Sequence, residues 1–146
     1  MERKIYAQEL GIDLASKQEK EYFKWFLACL LFGKPIQQEV AKRTYGEFVQ
    51  EGLTTPDAIL AAGWDRLVAV LDRGHYARYD FSTATKLLEI SQALKEHYGT
   101  LTNLLQQSQT LDDLSSRLQK FKGIGAKTAE IFLRDIAPIY LEYHKS

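Results

Sequence analysis

Cysteine is nearly absent from this 146-residue chain, and its single thiol, Cys29, excludes an internal disulfide and cannot alone hold zinc or an iron–sulfur cluster. Set among apolar neighbours, Cys29 reads as a core thiol. Proline occurs three times, at 35, 56 and 138. Pro35 and Pro56 suit helix starts, and Pro138 suits a helix end. Long apolar runs are missing: the longest, Trp25 to Phe32, falls well short of the ~18 residues of a membrane span. The opening Met1-Glu2-Arg3-Lys4 is too polar for a secretory signal, so a cytoplasmic protein without a membrane partner is expected. Net charge is lacking as well, with 19 basic residues against 19 acidic ones. That balance removes long-range steering, so any polyanion must be met by a local patch.

What is present is helical periodicity. Ser16-Lys17-Gln18-Glu19 has the form of a capping box, followed by Tyr22, Phe23, Trp25, Phe26, Cys29 and Leu30 at helical spacing and by Gly33 as a stop. Pro35 opens a second segment with Ile36, Val40, Phe48 and Val49, ending near Gly52. Thr55-Pro56 starts a short third helix that ends at Gly63, and Leu67, Val68, Val70 and Leu71 mark a fourth that stops before Gly74. Residues 74–80 read as a loop. Leu87, Leu88, Ile90, Leu94 and Tyr98 mark a long helix closed by Gly99, and Leu101, Leu104 and Leu105 a short one. Thr110 caps a segment bearing Leu111, Leu114 and Leu118, and a last helix starts near Ala126. With no strand alternation, repeat or linker, the expectation is one all-α, barrel-like domain over 1–146, with residues 1–15 as an arm packed on the body.

One string carries chemistry. In Phe121-Lys122-Gly123-Ile124-Gly125-Ala126-Lys127-Thr128-Ala129, two glycines allow a tight turn and close backbone approach, and a helix begins at once. The unpaired N–H groups of that first turn form an anion site suited to a phosphate. Arg117, Lys120, Lys122, Lys127 and Arg134 flank it against Glu130 and Asp135, a positive patch hidden by the overall balance. The residues expected to meet double-stranded DNA are Lys122, Gly123, Ile124, Gly125, Ala126, Lys127 and Thr128.

The string resembles the helix-hairpin-helix of the endonuclease III superfamily of DNA glycosylases, Leu-Pro-Gly-Val-Gly-x-Lys-Thr-Ala, with Phe-Lys in place of Leu-Pro. An aromatic first helix ending in Leu30-Leu31, the Gly-Leu-Thr-Thr-Pro-Asp turn and a long helix feeding the hairpin follow the family's order over roughly residues 20 to 137. The resemblance implies a DNA-binding role in base-excision repair, with a phosphate held by N–H groups of Gly123, Gly125, Lys127 and Thr128. It implies a monovalent cation on the carbonyls of Gln119, Phe121 and Ile124, with no other cofactor required. In bifunctional members the lysine matching Lys127 is the nucleophile that attacks the sugar and forms a Schiff base.

Two departures limit the resemblance. The family's catalytic aspartate, about eighteen residues beyond this lysine, aligns with Lys145, and the four iron–sulfur cysteines are missing. Asp135 is eight residues from Lys127, about 12 Å along a helix axis, too far to take that role. The segment Gly74 to Ala84 is longer than the family's and lacks its Lys-Ala pair. In it Tyr76, Arg78 and Tyr79 are candidates to contact DNA or a lesion, against packing as the plainer role for the aromatics. The sequence thus supports a DNA-binding protein that has lost base excision. An active glycosylase or abasic-site lyase using Lys127 is the alternative, and a protein-interaction module with a protein partner is more distant.

Overall fold

The computed structural model describes residues 3–144, and every regular element among them is helical. Its helices are α1 (Glu19–Phe32), α2 (Gln38–Gln50), α3 (Pro56–Arg73), α4 (Asp80–His97), α5 (Leu101–Gln107), α6 (Leu111–Gln119) and α7 (Ala126–Tyr143). Single 3-10 turns lie at Ala7–Leu10, Leu14–Ser16 and Ala77–Tyr79. The buried side chains form one contiguous core.

Helix α1 is the centre of that core. From Tyr22 to Phe32 every residue except Lys24 is buried, so its apolar surface runs all the way round. Such a helix needs neighbours on several sides, and α2, α5 and α7 supply them. The indole Nε1 of Trp25 donates to the carbonyl of Phe132 at 3.1 Å, tying α1 to α7. The Phe26 ring meets Phe132 edge-on at 5.7 Å and Phe121 at 6.4 Å between centroids. Cys29 is a buried core residue, and burial pushes its thiol pKa well up, so it stays protonated and unreactive.

Local signals place several helix starts. The hydroxyls of Thr55, Thr100 and Thr110 accept from the N–H groups of Ala58, Asn103 and Asp113 at 3.0, 3.0 and 2.9 Å. Pro56 occupies the first turn of α3, where its missing N–H costs nothing. Gly63 breaks α3 with a left-handed φ of 79°, so the two expected helices run on as one interrupted element. Gly99, at φ 82°, closes α4 by donating its N–H to Leu94.

Other expectations need correction. The capping box at Ser16 does not form: Ser16 ends a 3-10 turn, Lys17 is left-handed at φ 58°, and α1 starts behind an uncapped Gln18. Glu19, the box's expected acid, instead caps α5 across space, accepting from Leu101 N, Thr102 N and Thr102 Oγ1 at 2.7, 2.8 and 2.7 Å. A carboxylate gains more from three donors at a distant helix start than from one nearby. Pro35 lies in the turn before α2, which begins only at Gln38. The segment read as a loop is shorter than expected, because α4 already starts at Asp80.

Pro138 does not end α7, which continues to Tyr143. The turn beyond it is held from outside. Tyr140 donates to the Ser108 carbonyl at 2.8 Å, the Tyr143 and Tyr22 hydroxyls pair at 2.8 Å, and His144 Nε2 lies 3.0 Å from the Leu105 carbonyl. These tertiary bonds offset the helical bond that proline forfeits.

The expected arm packs on the body over the described residues. Ile5, Ala7, Ile12 and Leu14 are buried, the Ala7 N–H donates to Asp135 Oδ2 at 2.7 Å, and Arg134 Nη1 donates to the Ile5 carbonyl at 2.9 Å.

Candidate nucleic-acid interface

Residues 120–125 form a turn between α6 and α7, and apolar anchors set it in place. Phe121 and Ile124 are buried, and the Ile124 N–H donates back to the Phe121 carbonyl at 3.0 Å. Burial of these two side chains contributes roughly 1.5–3 kcal/mol each. Lys122, Gly123, Gly125, Ala126 and Lys127 are left on the surface, while Thr128 points inward. Gly123 has φ 96°, a left-handed value that favours glycine.

Helix α7 starts behind Gly125 with no side-chain cap. The N–H groups of Ala126, Lys127 and Thr128, in its first turn, have no acceptor within the helix. The end of α1 fits closely against this point: a β-carbon added at Gly33 would meet Thr128 Oγ1 at 2.1 Å. That contact brings Lys34, the residue after Gly33, beside the start of α7.

The basic surroundings differ from those the chain order suggests. Arg117 bonds Asp113 at 3.0 Å and lies over the Tyr98 ring, and Arg134 reaches the arm, stacking on Tyr6 at 5.5 Å. Both serve internal contacts. Two lysines distant in sequence take their place. The Lys86 stem, from α4, lies over Gly123 so closely that an added β-carbon would meet its Cδ at 2.8 Å. Its ammonium lies beside that of Lys34, and this neighbour together with burial lowers the Lys34 pKa to about 8. Among the described residues no ion pair involves Lys34, Lys86 or Lys127. Glu130, three residues after Lys127 and within its reach on the helix, pairs instead with Arg134 at 3.7 Å.

Lys34, Lys86 and Lys127 line one cavity of about 120 Å³, together with Thr83, Gly123 and Thr128. Thr83 is 3% exposed, and its Oγ1 is buried without a hydrogen-bond partner. On the other flank of the turn a larger groove, about 390 Å³, is lined by His97, Tyr98, Arg117, Lys120 and Lys122.

The candidate lesion contacts do not share this site equally. Tyr76 is fully buried, with its hydroxyl donating to the Leu31 carbonyl, so in this conformation it packs the core and cannot meet a base. Tyr79 is half-buried beneath Lys34, whose Nζ lies 5.4 Å from the ring centroid, and Arg78 is exposed beside the same ring. Sequence reasoning missed Lys34, Lys86 and Thr83, which carry no local pattern. It also missed Trp64, 39% exposed, whose ring lies 5.3 Å from that of Phe81, an aromatic of the 74–84 segment that is 60% exposed.

Asp135 is engaged by the arm, accepting from the Ala7 N–H. Lys145, where the family's aspartate would align, lies outside the described residues. No described helix is long and apolar enough to cross a membrane. No family model, curated protein or solved structure matches the chain.

Proposed function

We propose that this protein binds duplex DNA through the turn 120–125 and the first turn of α7, used as a helix-hairpin-helix. The observation that carries the reading is the meeting of an uncapped helix start with three lysines that have no carboxylate partner among the described residues. Backbone N–H groups at Gly123, Gly125, Lys127 and Thr128 take a phosphate, and Lys122 and Lys127 add charge. Such contacts position a duplex without reading its bases. The carbonyls of Gln119, Phe121 and Ile124 are hard neutral oxygens suited to a monovalent cation. The Phe121 carbonyl already accepts one N–H and keeps a lone pair for it. Titration of a labelled duplex by fluorescence anisotropy at several salt concentrations tests the reading. Log affinity is expected to fall with log salt by about 0.9 for each phosphate neutralised. Affinity that ignores salt and the Lys127→Ala substitution overturns it.

A second reading is favoured by one observation: Lys127 is exposed and Glu130 is turned to Arg134. An amine so placed suits an abasic-site lyase that forms a Schiff base with the opened sugar. Borohydride reduction with an abasic duplex yields a covalent complex if this reading holds, and Lys127→Ala removes it. Absence of the complex rejects the lyase and leaves the binding protein.

A further inference from the structure

A small cavity lies behind the turn. It lies between the end of α1, the start of α4 and the start of α7, and holds about 120 Å³. That is the space of a few water molecules and well under the ~300 Å³ at which small-molecule pockets begin. A small anion fits that space. Two ammonium groups, Lys34 and Lys86, lie side by side there with Lys127 at the rim. Like charges held together without a carboxylate are costly, and an anion between them relieves the cost. The buried Thr83 hydroxyl lines the same cavity and has no partner, which gives the anion a further donor. The α7 N–H groups complete the set, holding a terminal phosphate at a strand end in place of the backbone phosphate they hold on a continuous duplex.

We infer that this cavity is a site for a phosphate monoester or free phosphate dianion, held by Lys34, Lys86, Thr83 and the start of α7. Charge and shape both separate it from a backbone phosphodiester. A monoester carries about −1.5 to −2 at neutral pH, which matches several lysines, whereas a diester carries one charge. A recess bounded by three helices admits a chain end, and a diester must continue on both sides. On the reading that this face binds DNA, on which the DNA source rests, the ligand is the terminal phosphate of a nicked strand.

Two arms separate the sources. In the first, inorganic phosphate is titrated into the full chain at constant ionic strength and followed by amide NMR. Saturable shifts at Thr83, Gly123, Gly125, Lys127 and Thr128 are expected, with affinity reduced about tenfold in Lys86→Met and about fivefold in Thr83→Val. In the second, three nicked duplexes carry a phosphate on the 5′ side, on the 3′ side, or on neither. One phosphorylated nick is expected to bind about tenfold more tightly than the bare nick, with the difference lost in Lys86→Met. A dispersed spectrum of each variant shows that it folds, and Lys34→Met provides a second charge deletion. No phosphate shifts, or shifts indifferent to Lys86→Met and Thr83→Val, overturn the site, while salt-sensitive duplex binding still upholds the DNA reading. Phosphate shifts that depend on Lys86 without any duplex binding uphold the site for free phosphate and overturn its DNA source.

Discussion

Gly33 and Thr128 touch so closely that a β-carbon at Gly33 would sit 2.1 Å from the Thr128 hydroxyl oxygen. This contact joins the end of α1 to the start of α7 and fixes how near Lys34 comes to the turn. Gly33 has an ordinary φ of −73°, so the constraint is steric and not conformational. Gly33→Ala is therefore expected to cost about 1–3 kcal/mol through overpacking and to weaken duplex binding as α7 shifts. Gly46→Ala supplies the contrast: nothing lies within 4 Å of its added carbon, it sits inside α2, and it is expected to stabilise by about 0.4–1 kcal/mol. Urea denaturation of the pair tests the sign difference.

Thr83→Val separates stability from binding. The hydroxyl it removes is buried and unpartnered, so the free protein is expected to gain about 1–2 kcal/mol, read as a higher urea midpoint. If Thr83 instead stabilises the free fold, the variant loses stability and the hydroxyl is satisfied without a ligand.

Gly123→Ala meets two obstacles, a left-handed φ of 96° and the Lys86 stem at 2.8 Å. Strain of about 1–2 kcal/mol is expected, with the Lys86 end pushed from the cavity. A fall in duplex affinity larger than that of Gly125→Ala, where no atom lies within 4 Å, is the checkable outcome by anisotropy.

The pH dependence of stability follows from Lys34, which faces Lys86, the Tyr79 ring and Lys127, and whose pKa is lowered to about 8. An unfolded lysine titrates near ~10.4. Between these values the unfolded chain binds one more proton than the folded one, so this group makes stability rise with pH across the window. Below pH 8 both states are protonated and the repulsion is felt in full. Lys86→Met is expected to flatten the rise between about pH 8 and 10 in urea midpoints. Tyr22, Tyr45 and Tyr76, raised by burial, act in the opposite sense only above their ordinary pKa, where the folded state keeps a proton that the unfolded state loses.

Asp135→Ala tests the arm. Without the acceptor for Ala7 N–H, about 1–3 kcal/mol is expected to be lost, and limited proteolysis is expected to cut within residues 5–14. Any Schiff-base complex formed through Lys127 is expected to survive, because Asp135 is bound to the arm.

The sequence by itself determined the all-α class, the ends of most helices and the core role of Cys29, because threonine caps, glycine stops and apolar periodicity act within a few residues. It also marked residues 121–129 as a turn opening a helix, through its two glycines, while the burial of Phe121 and Ile124 that anchors the turn came from packing. Tertiary structure decided what local pattern cannot express. Glu19 left its own helix to cap α5 because three donors there outweigh one nearby. Pro138 stays inside α7 because Tyr140, Tyr143 and His144 are bonded from other elements. Arg117 and Arg134, adjacent in sequence to the turn, went to Asp113 and the arm. Lys34 and Lys86, remote in the chain, came together because Gly33 and Gly123 have no side chain to hold α1 and α4 away from the start of α7.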